Sequence, residues 1–219
     1  MSEWGPGCAW PPDPIRTERL VLRESEGRDR VVFVELFASP DVGAYVGGHR
    51  SREELERAVP EVPGRRPGFF VVELDGVMVG MVTLDRRDVG RPGHVRPKGG
   101  EAELGFLFLP EAWGCGYAVE ACGAVLSWFG DWLPGEPVVL CTRTANGRAM
   151  RLAEKLGFAE VERFEEYGAE QWLGVWSSVT PGGEGSGDDA GVRGTACEGR
   201  GPVDRLVTRP ESRRRDRSA

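Results

Sequence analysis

The sequence predicts an α/β chain of the α+β kind, built on a mixed sheet of about seven strands with helices on both faces. Three observations predict it. Residues 69–74 and 77–84 are apolar runs joined by Asp75-Gly76, a pair that supplies the positive φ angles of a tight hairpin turn. Residues 101–109 form a strand-like run that enters a glycine-bearing turn and then a helical pattern. A second strand, a second helix and two closing strands follow, which no purely parallel or purely helical packing accommodates.

Taken in order, residues 1–14 hold glycine, prolines and tryptophans without periodicity and read as an irregular arm. Arg19-Leu20-Val21-Leu22-Arg23 alternates as a strand does. Residues 31–38 are apolar at helical spacing and stop before Pro40. Ser51 with Glu54 three residues on is a capping box for a short helix. A polar loop, residues 85–100, separates the hairpin from the next strand. Beyond the glycine turn, Ala118, Ala121, Cys122, Val125 and Phe129 share one helical face, and Pro134-Gly135 ends the unit. Residues 138–142 form a short buried-type strand. Asn146 is a good N-cap for a helix carrying Met150, Leu152, Ala153 and Leu156, with Gly157 as its stop. Residues 159–164 and 171–179 are the closing strands. From Pro181 onward Gly, Ser, Asp, Glu and Arg dominate, too little apolar surface to offset ordering entropy. The expected organisation is therefore an arm over 1–14, one domain over 15–180 and a disordered tail over 181–219.

Composition bounds the function. With 219 residues, 40% of them hydrophobic, the chain buries one sizeable core. A net charge of −7 argues against nucleic acid as a partner and suits an amine substrate better. Cys8, Cys115, Cys122, Cys141 and Cys197 include no Cys-x-x-Cys pair, so neither a zinc site nor a disulfide framework is expected. No metal is implied. The start lacks a basic stretch and an apolar core, and no apolar run reaches the ~18 residues that span a bilayer, so a cytoplasmic protein without membrane contact is expected.

The chemistry concentrates at Trp113-Gly114-Cys115-Gly116-Tyr117-Ala118. The first N–H groups of a helix lack helical partners and point outward at the positive end of the dipole, which makes an anion site. Gly114 and Gly116 let a phosphate approach the backbone. This turn, the element order, and the run Asn146-Gly147-Arg148-Ala149-Met150-Arg151-Leu152-Ala153-Glu154-Lys155-Leu156-Gly157-Phe158 together resemble the GNAT superfamily of acyl-CoA-dependent N-acetyltransferases. The family turn reads Gln or Arg, two residues, Gly, one residue, then Gly or Ala; here Trp113, Gly116 and Ala118 take the first, fourth and sixth positions. The phrase Thr17-Glu18-Arg19-Leu20-Val21-Leu22-Arg23 resembles the branch that includes the ribosomal-protein N-terminal acetyltransferases.

The resemblance implies a mostly antiparallel sheet, acetyl-CoA as co-substrate, and an amine acceptor, either a small molecule or a peptide. It implies that the backbone N–H groups of Gly114, Cys115, Gly116, Tyr117 and Ala118 hold the pyrophosphate, and that Phe106, Leu107 and Phe108 lie along the pantetheine arm. An N–H near Leu107 would meet the oxyanion. Asn146 would bond the cofactor arm, cap its helix, or do both. Phe158 is a cofactor neighbour or a core residue. Cys115 contributes its backbone, although a thiol at a helix start can be reactive.

Glu103, on the strand entering the site, is either the general base that some relatives use or a partner of a nearby arginine. The closest branch places a proton-donating serine where Ala149 stands, which leaves Tyr167 and Tyr117 as tyrosine candidates. Trp172 and Trp176 read as core rather than as a substrate platform; the loop with Arg86, Arg87, Arg91, His94, Arg96 and Lys98 reads as solvated rather than as a border of the acceptor pocket, and His94, with no partner in view, as a poor catalyst. The implied reaction is acetyl transfer from acetyl-CoA to a primary amine by direct attack in a ternary complex. Two alternatives stand beside it: an acyl-CoA-binding module without turnover, motivated by Ala149, and a nucleotide-binding fold, which the absence of Gly-x-x-x-x-Gly-Lys-Ser/Thr disfavours. Oligomeric state is left open, with a homodimer allowed for.

Overall fold

The structure, a computed structural model, describes residue 10, residues 12–48 and residues 50–178. The tail expected over 181–219 lies outside the described residues, as do Cys8 and Cys197.

Strands β1 (Ile15–Arg16), β2 (Val21–Arg23), β3 (Phe69–Leu74), β4 (Val77–Arg86), β5 (Ala102–Phe108), β6 (Val138–Arg143), β7 (Ala159–Glu166) and β8 (Ala169–Trp176) form one sheet in the order β1-β2-β3-β4-β5-β6-β8-β7. All neighbours run antiparallel except β5 and β6. The eighth strand, unforeseen in the sequence, is the two-residue edge piece β1, too short to show alternation.

Helices α1 (Arg30–Ala38), α2 (Pro40–Gly43) and α3 (Arg52–Ala58) lie before β3; α4 (Tyr117–Trp132) follows β5 and α5 (Gly147–Lys155) follows β6. The capping box at Ser51 and Glu54 forms as expected. Pro40, read as a stop, ends α1 and also starts α2 as its first residue, with the Ser39 side chain as cap. At the β3–β4 turn Asp75 and Gly76 take φ 49° and 84°.

The strand period of two divides the core. Phe70, Val72, Val82, Leu104 and Phe106 join α4 (Ala121, Cys122, Val125, Phe129) and α5 (Ala149, Leu152, Ala153) on one face. Phe69, Val71, Met81 and Leu107 join α1 and α3 (Phe33, Val34, Leu36, Leu55) on the other. Trp10, in the arm expected to be irregular, packs edge-on to Phe70 and Trp128.

The feature that positions the site is the short pairing of β5 with β6. Their register holds only at Ala102↔Val138 and Glu103↔Val139, although β5 continues to Phe108 and β6 to Arg143. Beyond Glu103 the two parallel strands diverge and open a gap through the middle of the sheet.

Candidate active site

Two cavities open on this gap. The first, about 280 Å³, is lined by the turn (Trp113, Gly114, Gly116), the start of α4 (Tyr117, Ala118, Val119), Phe106 and Phe108, and by Arg148, Arg151 and Lys155 on α5. The second, about 110 Å³, is lined by Thr83, Asp85, Glu103, Gly105, Cys141, Arg143 and Gln171 from the sheet, with Tyr45, Arg91 and Tyr167 around it. Phe106 and Ala149 line both.

The turn in the first cavity is held from outside. Gly114 and Gly116 take φ 78° and 81°, which an L side chain resists. Arg19 donates Nη1 to the Cys115 carbonyl at 2.9 Å and Nε to Glu120 at 2.7 Å, and its guanidinium lies over the Tyr117 ring. Thr17 Oγ1 donates to the other Glu120 oxygen. Burial pushes the Glu120 carboxyl up, but these bonds from Thr17 and Arg19 outweigh it and hold it below the usual carboxylate range. Trp113 donates Nε1 to the Phe108 carbonyl at 2.9 Å, tying the turn to the end of β5. Cys115 turns its thiol to the Trp113 carbonyl and does not line the cavity.

The residues fit a phosphate-bearing ligand. Helix-start amides line one wall and three basic side chains of α5 another. Nη1 of Arg148 is buried with no hydrogen-bond partner among the described residues, which costs free energy until an acceptor meets it.

Backbone alternation settles which β5 groups face the gap. Leu109 N–H donates to the Val79 carbonyl and Arg87 N–H to the Glu101 carbonyl, so the pairs between them that share this phase, Met81↔Leu107, Thr83↔Gly105 and Asp85↔Glu103, exchange backbone bonds. The Leu107 amide therefore belongs to the β4 ladder, and its side chain is buried with α1. The amides directed to the gap are those of Phe106 and Phe108, which corrects the expectation for Leu107.

Asn146 is buried, with Oδ1 accepting from Ala149 N–H at 3.3 Å and Nδ2 donating to Thr142 Oγ1 at 3.1 Å. Capping uses the oxygen, and one N–H remains for another acceptor. Phe158 is core and lines neither cavity. Trp172 is core too, its Nε1 donating to Glu160.

On the second cavity, Glu103 accepts from Arg87 Nη1 at 2.8 Å, and Arg91 lies 3.7 Å away, so the arginine-paired reading holds while the carboxylate still lines the cavity. Arg87 is fully buried and also donates to the Gly93 and Pro92 carbonyls. The loop expected to be solvated is thus pinned from within. Glu101, fully buried, accepts from Val95 N–H, Arg96 N–H and His94, which gives His94 the partner that the sequence hid. Tyr167 is 67% exposed at the β7–β8 turn with φ 54° and stacks on Arg91. It borders the second cavity and not the first, so it does not reach the phosphate side. Burial pushes the Cys141 thiol up.

Sequence reading missed Arg19 and Thr17 as the clamp on the turn, because the contact joins residues a hundred positions apart. It also missed Arg148, Arg151 and Lys155, whose helical spacing was visible. Among the described residues no cluster of acidic, histidine and cysteine groups could hold a metal ion, and no helix is long and apolar enough to cross a membrane.

Comparison with known proteins identifies the fold and the family. The chain is 26% identical over 174 residues to YoaA of Bacillus subtilis (strain 168), an uncharacterized N-acetyltransferase, over 76% of this chain and 97% of that one. The fold is similar to an acetyltransferase from Agrobacterium tumefaciens, with a TM-score of 0.62 at 22% identity over 78% of this chain and 98% of that one. It is also similar to aminoglycoside acetyltransferase AAC(6')-Ib in complex with coenzyme A, with a TM-score of 0.58 at 16% identity over 73% and 95% of the two chains. The acetyltransferase (GNAT) domain matches over residues 19–159, from the arginine that clamps the glycine turn to the first residue of β7, and the chain belongs to that family.

Proposed function

We propose that the chain transfers an acetyl group from acetyl-CoA to a primary amine by direct attack in a ternary complex. The observation that carries this reading is the pair of cavities that meet at Phe106 and Ala149 through the β5–β6 gap. The larger one takes the cofactor: N–H groups of the Gly114–Ala118 turn and the side chains of Arg148, Arg151 and Lys155 hold its phosphates, and the Phe106 and Phe108 backbone lies along its arm. Bound acetyl-CoA supplies an activated thioester at the junction.

The smaller cavity holds the acceptor. An ammonium has no lone pair, so a base must take its proton, and Glu103 does so directly or through water. The Phe106 amide is the donor available to the carbonyl oxygen as charge develops on it. Cys141 is the thiol that lines the acceptor cavity, and burial keeps it protonated, which favours direct attack over an acyl-cysteine route. Tyr167 contacts the acceptor at the mouth. Tyr117 lines the cofactor side and is our candidate for protonating the leaving thiolate. The Thr17–Arg19 phrase, which clamps the turn, supports assignment to the branch of the ribosomal-protein N-terminal acetyltransferases. The solved relatives include enzymes for aminoglycosides and for spermidine, which supports amine acceptors in general.

Release of free thiol from acetyl-CoA over a broad amine panel tests the reading, with Glu103→Gln expected to lower the rate. Stabilisation by coenzyme A with no thiol release for any amine would instead support the binding module that Ala149 suggests.

A further inference from the structure

Among the described residues, the charges around the acceptor cavity are matched with one exception. Asp85 is held by Arg66, with Nη2 at 3.0 Å. Glu103 is held by Arg87. Arg91 is held by Glu166, with Nε at 2.8 Å. Three carboxylates thus meet three guanidiniums, and the loop arginines Arg86 and Arg96 both meet Glu136. Arg143, the last residue of β6, also lines this cavity, yet among the described residues no carboxylate forms an ion pair with it. Its cross-strand neighbour Gln171 is neutral and donates its own Nε2 to the Glu166 and Ala169 carbonyls.

The cavity therefore has two ends. Asp85 and Glu103 are cross-strand partners on β4 and β5 and supply the end with charge-matched carboxylates. Arg143, on the far arm of the gap, supplies the cationic one. A guanidinium presents a planar fork that matches a carboxylate or phosphate with two parallel bonds. In a half-enclosed site such a charge gains more from a counter-charge than it does in water.

We propose that the acceptor is a compact amine that also carries an anionic group, with Arg143 holding that group while the amine faces Glu103. This rests on the acetyltransferase reading above and names its substrate class. Size agrees. The cavity is about 110 Å³, against roughly 300–1,000 Å³ for sites that enclose drug-sized ligands. Tyr45 and Tyr167 are among the residues that bound it. Tyr167 holds a positive φ that a bulky residue rarely adopts, and that conformation sets its ring over Arg91 at the mouth. A polyamine would leave Arg143 facing like charge.

The test is acetyl transfer by the full chain to matched sets: small α- and ω-amino acids, their carboxamides, aminoethyl phosphate and spermidine. The acids or the phosphate should exceed the carboxamides in kcat/KM by about tenfold or more. Whichever anion leads identifies the group. Arg143→Gln should bring the acids down to the level of the carboxamides, and Arg143→Lys should keep part of the gap. Equal rates for acids and carboxamides, a preference for spermidine, or an equal loss for both in Arg143→Gln would overturn the proposal. Calorimetry of the same compounds with the coenzyme A-saturated chain reads it independently of turnover. Binding of an acid over its carboxamide, lost in Arg143→Gln, supports it even if no acetyl moves, and that combination would sink only the transferase reading. No binding difference sinks the anionic acceptor.

Discussion

Gly116→Ala tests the glycine turn without changing any charge. Gly116 sits at φ 81°, where an alanine costs about 1–2 kcal/mol. Its new Cβ would approach Arg19 Nη2 at 3.3 Å. That guanidinium cannot swing aside freely, since it holds Glu120 and the Cys115 carbonyl. The strain therefore passes into the turn. Gly135 offers a matched control, with φ 78° and nothing within 4 Å of an added Cβ. Both alanine variants should lose a similar ~1–2 kcal/mol, or about 2–8 °C in Tm for a chain of this size. They should part when coenzyme A is added. At roughly 100 times Kd the wild type and Gly135→Ala gain about 2.7 kcal/mol. A tenfold loss of affinity in Gly116→Ala would halve that gain, since each factor of ten is about 1.4 kcal/mol. Thermal unfolding of the wild type and both variants, with and without coenzyme A, reads all six numbers. An equal coenzyme A shift in the two variants would refute the turn as phosphate cradle, and a lost shift in Gly135→Ala would show that strain anywhere suffices.

Arg148→Gln removes the buried Nη1 that has no partner among the described residues, so it should leave the free protein as stable or slightly more so while weakening coenzyme A binding by about 1.5–3 kcal/mol; titration calorimetry decides. Glu103→Gln should lower kcat about a hundredfold or more with little change in KM if the carboxylate is the base; a change confined to KM would leave Glu103 as an arginine partner alone. Burial pushes the Glu101 carboxyl up, but the bonds from His94, Arg96 and Val95 hold it below the usual range, and Glu120 behaves alike. A carboxyl depressed in the folded state stabilises above its unfolded pKa and loses that contribution as pH falls through the folded value. Denaturant unfolding should therefore show stability falling from about pH 4.5 downward, and Glu101→Gln should flatten that slope.

Elements fixed by local chemistry were legible in the sequence. Asp75-Gly76, the Ser51–Glu54 box and the Asn146 cap each act within four residues, so reading along the chain suffices. The glycine turn before α4 was legible for the same reason. The acceptor side was not, because its wall is built across strands: Asp85, Glu103, Cys141, Arg143 and Gln171 meet only through register. One-residue phase mattered as well. The Leu107 amide was expected to face the cofactor, and the antiparallel ladder hands that place to Phe106. Arg87, in a stretch read as solvated loop, is fully buried, because nothing in its neighbours reveals that Glu103 and two loop carbonyls await it.

Net charge pointed toward an amine acceptor, and the local arrangement adds an anionic group to it for a physical reason. At physiological ionic strength charges more than about 8–10 Å apart are largely screened, so distant surface acids contribute little to the field inside a cavity. What counts there is the nearest charge without a partner. In this acidic chain the carboxylates beside the gap are matched by arginines, while Arg148, Arg151 and Lys155 on the cofactor side and Arg143 on the acceptor side form no ion pair among the described residues. Unmatched cations beside both cavities fit an anionic cofactor in the first and, on the reading proposed above, an amine that carries an anionic group in the second, with the uncharged residues Phe106 and Ala149 lining both.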